Sequence, residues 1–505
     1  MAQRELFLGL DLGTTSTKAI VIDALGVLVA EAVADHPVSY PRTGWSEQDP
    51  EDWWRSCTAA TQLALAKAGS NAGDCVAAIG LSGQMHGLVT LDATLAVIRP
   101  CMLWNDSRSA DVCDRWMRNP GLATLLKTTG NRVFPGFQAP KLQWMKEHEP
   151  AAFARVSHVL LPKDWLRFRM SGVLMSEPSD ASGTGVFDCA NRTWSTALLQ
   201  TLGFARALFP DIAESPVHSS TLSVVAARAL GLRAGIGIAG GAGDQAAGAI
   251  GSGIVEEGTV SCVIGTSGVV FAPSATWRAT PNGELHAFCH AVPGKWHLMG
   301  VMLSAGGSLR WFRDHLATDA VVEAKALGVD PYDILATRAE RAIPGARGLV
   351  FLPYLTGERC PIPDAAMRGG FLGLDVSHTK DDIARAVFEG ITFGLAGNIA
   401  VLRALGLKVD RVRLSGGGAK SAFWRQLCAD AFDAEVALLE TEAGAAMGAA
   451  ILAAVGAGAF ASVEAACAAT VKERACIAPG VNASHLARAH AKFDEATRHA
   501  QGYRH

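Results

Sequence analysis

The feature that most restricts the fold is a hairpin written twice. Residues 8–21 read LGLDLGTTSTKAIV, and residues 260–271 read VSCVIGTSGVVF. Each is an apolar run, then Gly-Thr followed by Thr or Ser, then a second β-branched run. Such runs around a glycine turn specify an antiparallel hairpin. In the first copy the strands are expected at Phe7 to Asp11 and at Lys18 to Asp23. A strand–Gly–Thr–strand echo also arises by chance. Separation by half of the chain gives this one weight, and it suggests two related domains facing each other. The boundary is placed near Gly251 to Gly258, dividing the chain into 1–253 and 254–505.

A chain of 505 residues is too long for one ordinary core. Strand-like and helix-like segments alternate, so the fold class is α/β. With 49% hydrophobic and 18% charged residues, the chain can fill large cores and is not disordered. A formal net charge of −3 leaves no nucleic-acid footprint. No uninterrupted apolar run has the ~18 residues of a membrane span, so no membrane helix is expected. The start, MAQRELFLGLDLG, lacks the plan of a signal peptide. The 11 cysteines are scattered without a C-x-x-C pair, which fits thiols in a reducing cytoplasm. One helix is marked clearly at 380–399. Thr379 and Asp382 form a capping box, and Ile383, Val387, Ile391, Leu395 and Ile399 recur on one face.

Several segments could carry chemistry. The two Gly-Thr turns offer backbone N–H groups and hydroxyls that could hold a polyphosphate, or they are ordinary hairpin turns. No Walker loop is present, so any nucleotide is bound without one. Asp11, before the first turn, either initiates that turn or holds Mg²⁺, which needs only one or two protein carboxylates. Residues 240–251 read GGAGDQAAGAIG. GAGDQA matches the dinucleotide pattern G-x-G-x-x-G/A, but Asp244 would place its own charge where pyrophosphate must sit. A helix from Gln245 with Asp244 as N-cap fits better, and the helix terminus would keep that carboxylate ionised. Such a group could accept a proton from a hydroxyl. Met85 and His86 occupy the Gly-bounded loop SGQMHG. Trp104, Asn105 and Asp106 suit sugar hydroxyls or a turn. The segment LSGGGA at 414–419, before a helix from about Phe423, suits a flat nucleotide or a plain strand-to-helix turn.

Together these segments resemble the FGGY carbohydrate kinase family along nearly the whole chain. The resemblance is carried by GLDLGTTSTKAIV, GLSGQMHGLV with LWNDSR, GNRVFPGFQAPKLQWM, LPKDWLRFRMSG, SDASGTGVFD, GGAGDQAAGAIG with VIGTSGVV, HAFCHAVPGKWHLMGVMLSAGGSLRWF, FLPYLTGERCP and LSGGGAKSAFWRQLCAD. It implies two actin/hexokinase-like (ribonuclease H-like) domains facing each other across a catalytic cleft. Residues 1–253 would bind sugar and carry catalysis, and 254–505 would bind nucleotide. It implies ATP-dependent phosphorylation of D-xylulose to D-xylulose 5-phosphate. Asp244 resembles the general base and Asp11 the Mg²⁺-linked carboxylate. Met85, His86, Asn105 and Gln245 join Asp244 against the sugar. Thr14, Thr15, Thr266, Gly306, Gly417 and Gly418 resemble the ATP-binding residues. Met85-His86 stands where glycerol kinases have Arg-Glu, and Gly136 where they have an aromatic residue, which disfavours glycerol. Cys360 and Cys262 depart from the family pattern without removing a needed group. A ribulose or gluconate kinase remains an alternative, as does an actin-like ATPase without a sugar. The expected enzyme is cytoplasmic, with no membrane or nucleic-acid partner, and a homodimer is left open.

Overall fold

The computed structural model describes residues 5–119, 124–441 and 444–501. The first four residues of the N-terminal run read above lie outside the described residues. Elements that position the site are numbered in chain order. In the first half they are β1 (Leu6–Leu12), β2 (Ser16–Asp23), β3 (Leu28–Asp35), β4 (Val76–Gly83), β5 (His218–Thr221), β6 (Gly237–Ala239), β7 (Ala242–Gly243) and α1 (Asp244–Gly251). In the second half they are β8 (Gly258–Ile264), β9 (Gly268–Ser274), β10 (His286–Cys289), β11 (Trp296–Met302), α2 (Gly306–His315), α3 (Lys380–Ala404), β12 (Val409–Gly416), α4 (Ala422–Phe432), β13 (Glu435–Leu439), α5 (Gly444–Gly456) and β14 (Glu473–Ile477).

The two hairpins become the centres of two seven-stranded sheets. The first sheet runs β3-β2-β1-β4-β6-β5, with β7 also paired to β4. The second runs β10-β11-β9-β8-β12-β13-β14. From β3 to β5 the pairings are antiparallel, antiparallel, parallel, parallel, antiparallel. From β11 to β14 the same order of senses repeats. The echo in sequence is therefore an echo in topology, as expected of two ribonuclease H-like domains.

Strand periodicity sorts β1 between two layers. Leu6, Leu8, Leu10 and Leu12 pack with Trp53, Cys57, Ala60 and Ala64 of the helix Pro50–Ala68. Phe7 faces the other way, against Ala446 and Ala450 of α5. Thus a helix from the second half of the chain completes the core of the first sheet. It fits because glycines remove the intervening Cβ atoms. A Cβ on Gly80 of β4 would lie 1.8 Å from the Ala449 carbonyl oxygen, and one on Gly448 would lie 1.8 Å from that of Ala247 in α1.

Helix α3 has the expected capping box and runs five residues beyond the expected end, to Ala404. Val387, Ile391, Leu395 and Ile399 are buried, and Ile383 is half-buried. It is long and apolar enough to cross a membrane, but 83% of its apolar window is buried in the protein. It is the core helix of the second half.

Candidate active site

Parallel strands β1, β4 and β7 end together, and ligands of such sheets gather beyond the carboxyl ends. Register sets Asp11 beside Ser82, and Ser82 beside Ala242. The next row is Leu12, Gly83 and Gly243. Asp244 follows at once, so two acids from distant parts of the chain reach one end of one sheet. Asp244 is not the helix cap. Gly243 is the cap, without a side-chain hydrogen bond, and Asp244 is the first helical residue. Nor is it held in its ordinary ionised range. Burial, then the charge of Asp11, push its pKa up to about 7, although Gln245 opposes the shift through backbone and side chain. Desolvation outweighs what a helix terminus returns to a carboxylate.

Asp11 is itself raised by burial, against Ser82 and Lys18, which favour its charge. Its Oδ1 is buried and has no hydrogen-bond partner. Among the described residues no group of three or more His, Cys, Asp or Glu could enclose a metal. A lone orphaned carboxylate oxygen still suits Mg²⁺, which keeps most of its waters.

The loop after β4 is not slack. Met85 is buried under Gly243, where a Cβ would come within 2.9 Å of its Cγ. His86 adopts a left-handed φ of 71°. Its Nδ1 lies 2.7 Å from the Gly183 carbonyl oxygen. A carbonyl only accepts, so Nδ1 carries the proton. Burial lowers the ring's pKa to about 3, so it is neutral and Nε2 is an acceptor. The ring stacks on Phe137 at 4.8 Å. Residues of the second half cover this loop. His286 meets Phe134 at 5.1 Å, Phe288 lies 6.2 Å from both His86 and Phe137, and Arg359 sits 5.3 Å over Phe134. Residues of both halves therefore pack around this loop.

Of the LWND segment, Asp106 is structural: it is buried, pairs with Arg108 at 2.6 Å and accepts from Ser46 N at 2.7 Å. Asn105 is exposed and lines a surface hollow with Tyr40, Arg42 and Thr43. Trp104 Nε1 donates to Thr14 Oγ1 at 3.0 Å, which fixes the first turn, while Thr15 is exposed.

The second turn opens on a cavity of 570 Å³, within the usual range for small-molecule sites. Thr266, Gly306, Gly417 and Gly418 line it together with Tyr332 and Trp424. Gly306 begins α2, and its N–H bonds the Gly265 carbonyl at 2.8 Å, drawing a helix N-terminus onto the turn. Four proposed nucleotide residues thus share one cavity. Thr14 and Thr15 lie on the other sheet's turn and do not line it.

Residues 6–251 match the FGGY family of carbohydrate kinases, N-terminal domain, and residues 260–457 match its C-terminal domain. The chain belongs to this family. Xylulose kinase of Escherichia coli (strain K12) is 40% identical over 452 residues, 89% of this chain and 90% of that protein. Xylulose kinase of Bacillus subtilis (strain 168) is 39% identical over 472 residues, 94% and 92% of the two chains. The crystal structure of xylulose kinase from Rhodospirillum rubrum superposes with a TM-score of 0.90 at 31% identity, covering 98% of this chain and 99% of that one. As an FGGY carbohydrate kinase, the chain is a phosphotransferase with ATP as donor and an alcohol group as acceptor.

Beneath the acid of this kinase lies a charge cluster that sequence reasoning missed. Lys163 Nζ is 2.6 Å from Asp164 and 3.7 Å from both Glu177 and Asp180, all fully buried. Ser179 Oγ accepts from Gly243 N at 3.1 Å, tying the cluster to the residue before Asp244. Burial raises Asp180 well above the ordinary carboxyl range, and Asp244 adds to the shift. The signals were LPKDW and SDASG, which mark no spacing that points to a site.

Proposed function

We propose that this FGGY kinase transfers the γ-phosphoryl group of ATP to the 5-hydroxyl of D-xylulose, with Asp244 as general base. The observation that carries this reading is the meeting of Asp244, Gln245 and the Met85–His86 loop at one end of the first sheet. The division into a sugar-binding half, 1–253, and a nucleotide-binding half, 254–505, belongs to the same proposal. ATP phosphates lie between the two Gly-Thr turns, with the nucleoside in the cavity lined by Thr266, Gly306, Gly417 and Gly418. His86 Nε2 accepts from a sugar hydroxyl. Asp244 takes the proton of the 5-hydroxyl as the O5–Pγ bond forms and the bond from Pγ to the β–γ bridging oxygen breaks, releasing ADP. A base with a pKa near 7 suits that proton transfer at neutral pH. Mg²⁺ bound with the nucleotide would neutralise phosphate charge, and Asp11 Oδ1 would hold it directly or through water. The remaining work is positioning and exclusion of water.

The test is ADP release across a panel of ketoses, polyols and aldonates. D-xylulose is expected to give the highest kcat/KM, and Asp244→Ala to lose most turnover while still binding both substrates. A better rate with ribulose or gluconate would replace the substrate. ATP hydrolysis indifferent to every sugar would instead mark an actin-like ATPase.

A further inference from the structure

Lys141 is fully buried, yet among the described residues no carboxylate lies within ion-pair distance of it. Its Nζ donates instead to two backbone carbonyls, Gly136 O at 2.6 Å and His86 O at 3.1 Å. Three residues earlier, and therefore one turn away on the same helix (Gln138–His148), Gln138 is also buried. Gln138 Nε2 donates to Gly87 O at 3.2 Å and to Leu160 O at 3.0 Å. One helix thus grips the consecutive carbonyls of His86 and Gly87. The gripped residue needs it, because His86 is a non-glycine side chain with φ of 71°, a conformation that persists only where its surroundings impose it. Lys141 also binds the carbonyl just before Phe137, the ring on which His86 stacks at 4.8 Å.

We infer that Lys141 is a positioning residue for the sugar: it locks His86 and Phe137 into one rigid wall and so fixes where the His86 acceptor stands. This rests on the sugar-binding reading of His86 given above. An ammonium group buried with no carboxylate in contact is costly to folding: burial drives the pKa of Lys141 down to about 7, and Asp106 opposes this only in part. Lys141 is thus poorly explained as a device for stability alone.

The experiment is Lys141→Met, measured with whichever sugar the wild-type enzyme accepts best. The melting temperature is expected to change little, because relief of the buried ammonium offsets the loss of its two hydrogen bonds. The KM for sugar is expected to rise at least tenfold, kcat to fall by less than that, and the KM for ATP to stay within twofold. A purely structural role would lower the melting temperature and disturb both KM values together, and that result would overturn the inference. So would a wild-type sugar KM in the folded variant. Should Lys141→Met fail to fold, Gln138→Leu removes the neighbouring grip without touching a charge. It should raise the sugar KM alone, and an unchanged sugar KM there would be equally fatal. A wild-type protein without sugar-dependent turnover would sink the kinase reading, whereas a wild-type KM in the variants sinks only the role of Lys141.

Discussion

Replacing Asp244 by Asn should make the ligand-free protein more stable, by an amount that depends on pH. Folding raises this carboxyl from 3.8 to about 7. A group with a raised acid pKa holds its proton more tightly when folded. It therefore costs nothing well below the unfolded value, costs progressively more as pH rises from about 4, and reaches its full cost above 7. Three pK units at about 1.4 kcal/mol each give a ceiling of about 4 kcal/mol. The side chain is only half-buried, and cleft water screens it, so about 2 kcal/mol is expected at pH 8. Unfolding 505 residues at about 2.1 cal/mol/K each gives an entropy of about 1 kcal/mol/K, so that is an increase of about 2 °C in melting temperature. The assay is thermal unfolding of wild type and Asp244→Asn without nucleotide, from pH 4.5 to pH 8. The gain should shrink to about half by pH 4.5. A variant less stable than wild type at pH 8, or a gain that ignores pH, would show that the acid is not the strained, desolvated group described.

Three further outcomes follow from the structure. Because the proton acceptor must be ionised, kcat/KM for the sugar should fall about tenfold per unit below pH 7. Asp11→Asn removes the second cause of the upward shift, so in a pH–rate profile its acid limb should move to lower pH; a limb that stays or moves up would mean the Asp11 charge does not reach Asp244. Gly80→Ala would drive a Cβ to 1.8 Å from the Ala449 carbonyl, and overpacking against backbone should cost about 3 kcal/mol or more. An unchanged urea midpoint would contradict that contact.

What could be read from sequence was local. The twin hairpins, the capping box at Thr379 and Asp382, and the strand-to-helix turn after Leu414 are each written within a few neighbouring residues, and each stands as expected. What could not be read depends on distant partners. Asp244 looked like an ionised cap because GAGDQAAG says nothing of Asp11, whose charge arrives through β4. His86 reads from sequence only as part of a Gly-bounded loop because Lys141, Gln138 and Gly183, which hold it, are far along the chain. The Lys163–Asp180 cluster is invisible for the same reason, since its members meet only when the helix Pro162–Ser171 and the turn Pro178–Ala181 pack together.

The seating of α5 also bears on how the protein is made. The first sheet cannot close its apolar face with residues 1–253 alone, since Phe7, Ile20 and Ala247 await Ala446, Ala450 and Ile451. During synthesis that face stays bare until almost the whole chain has left the ribosome, and large proteins are most prone to misassembly while such surface is exposed. Nascent chains stalled before residue 444 should therefore be cut readily within the first half, and chains released after it should resist. Because α1 packs directly on α5, the helix that begins at Asp244 gains this packing partner only when that late segment arrives.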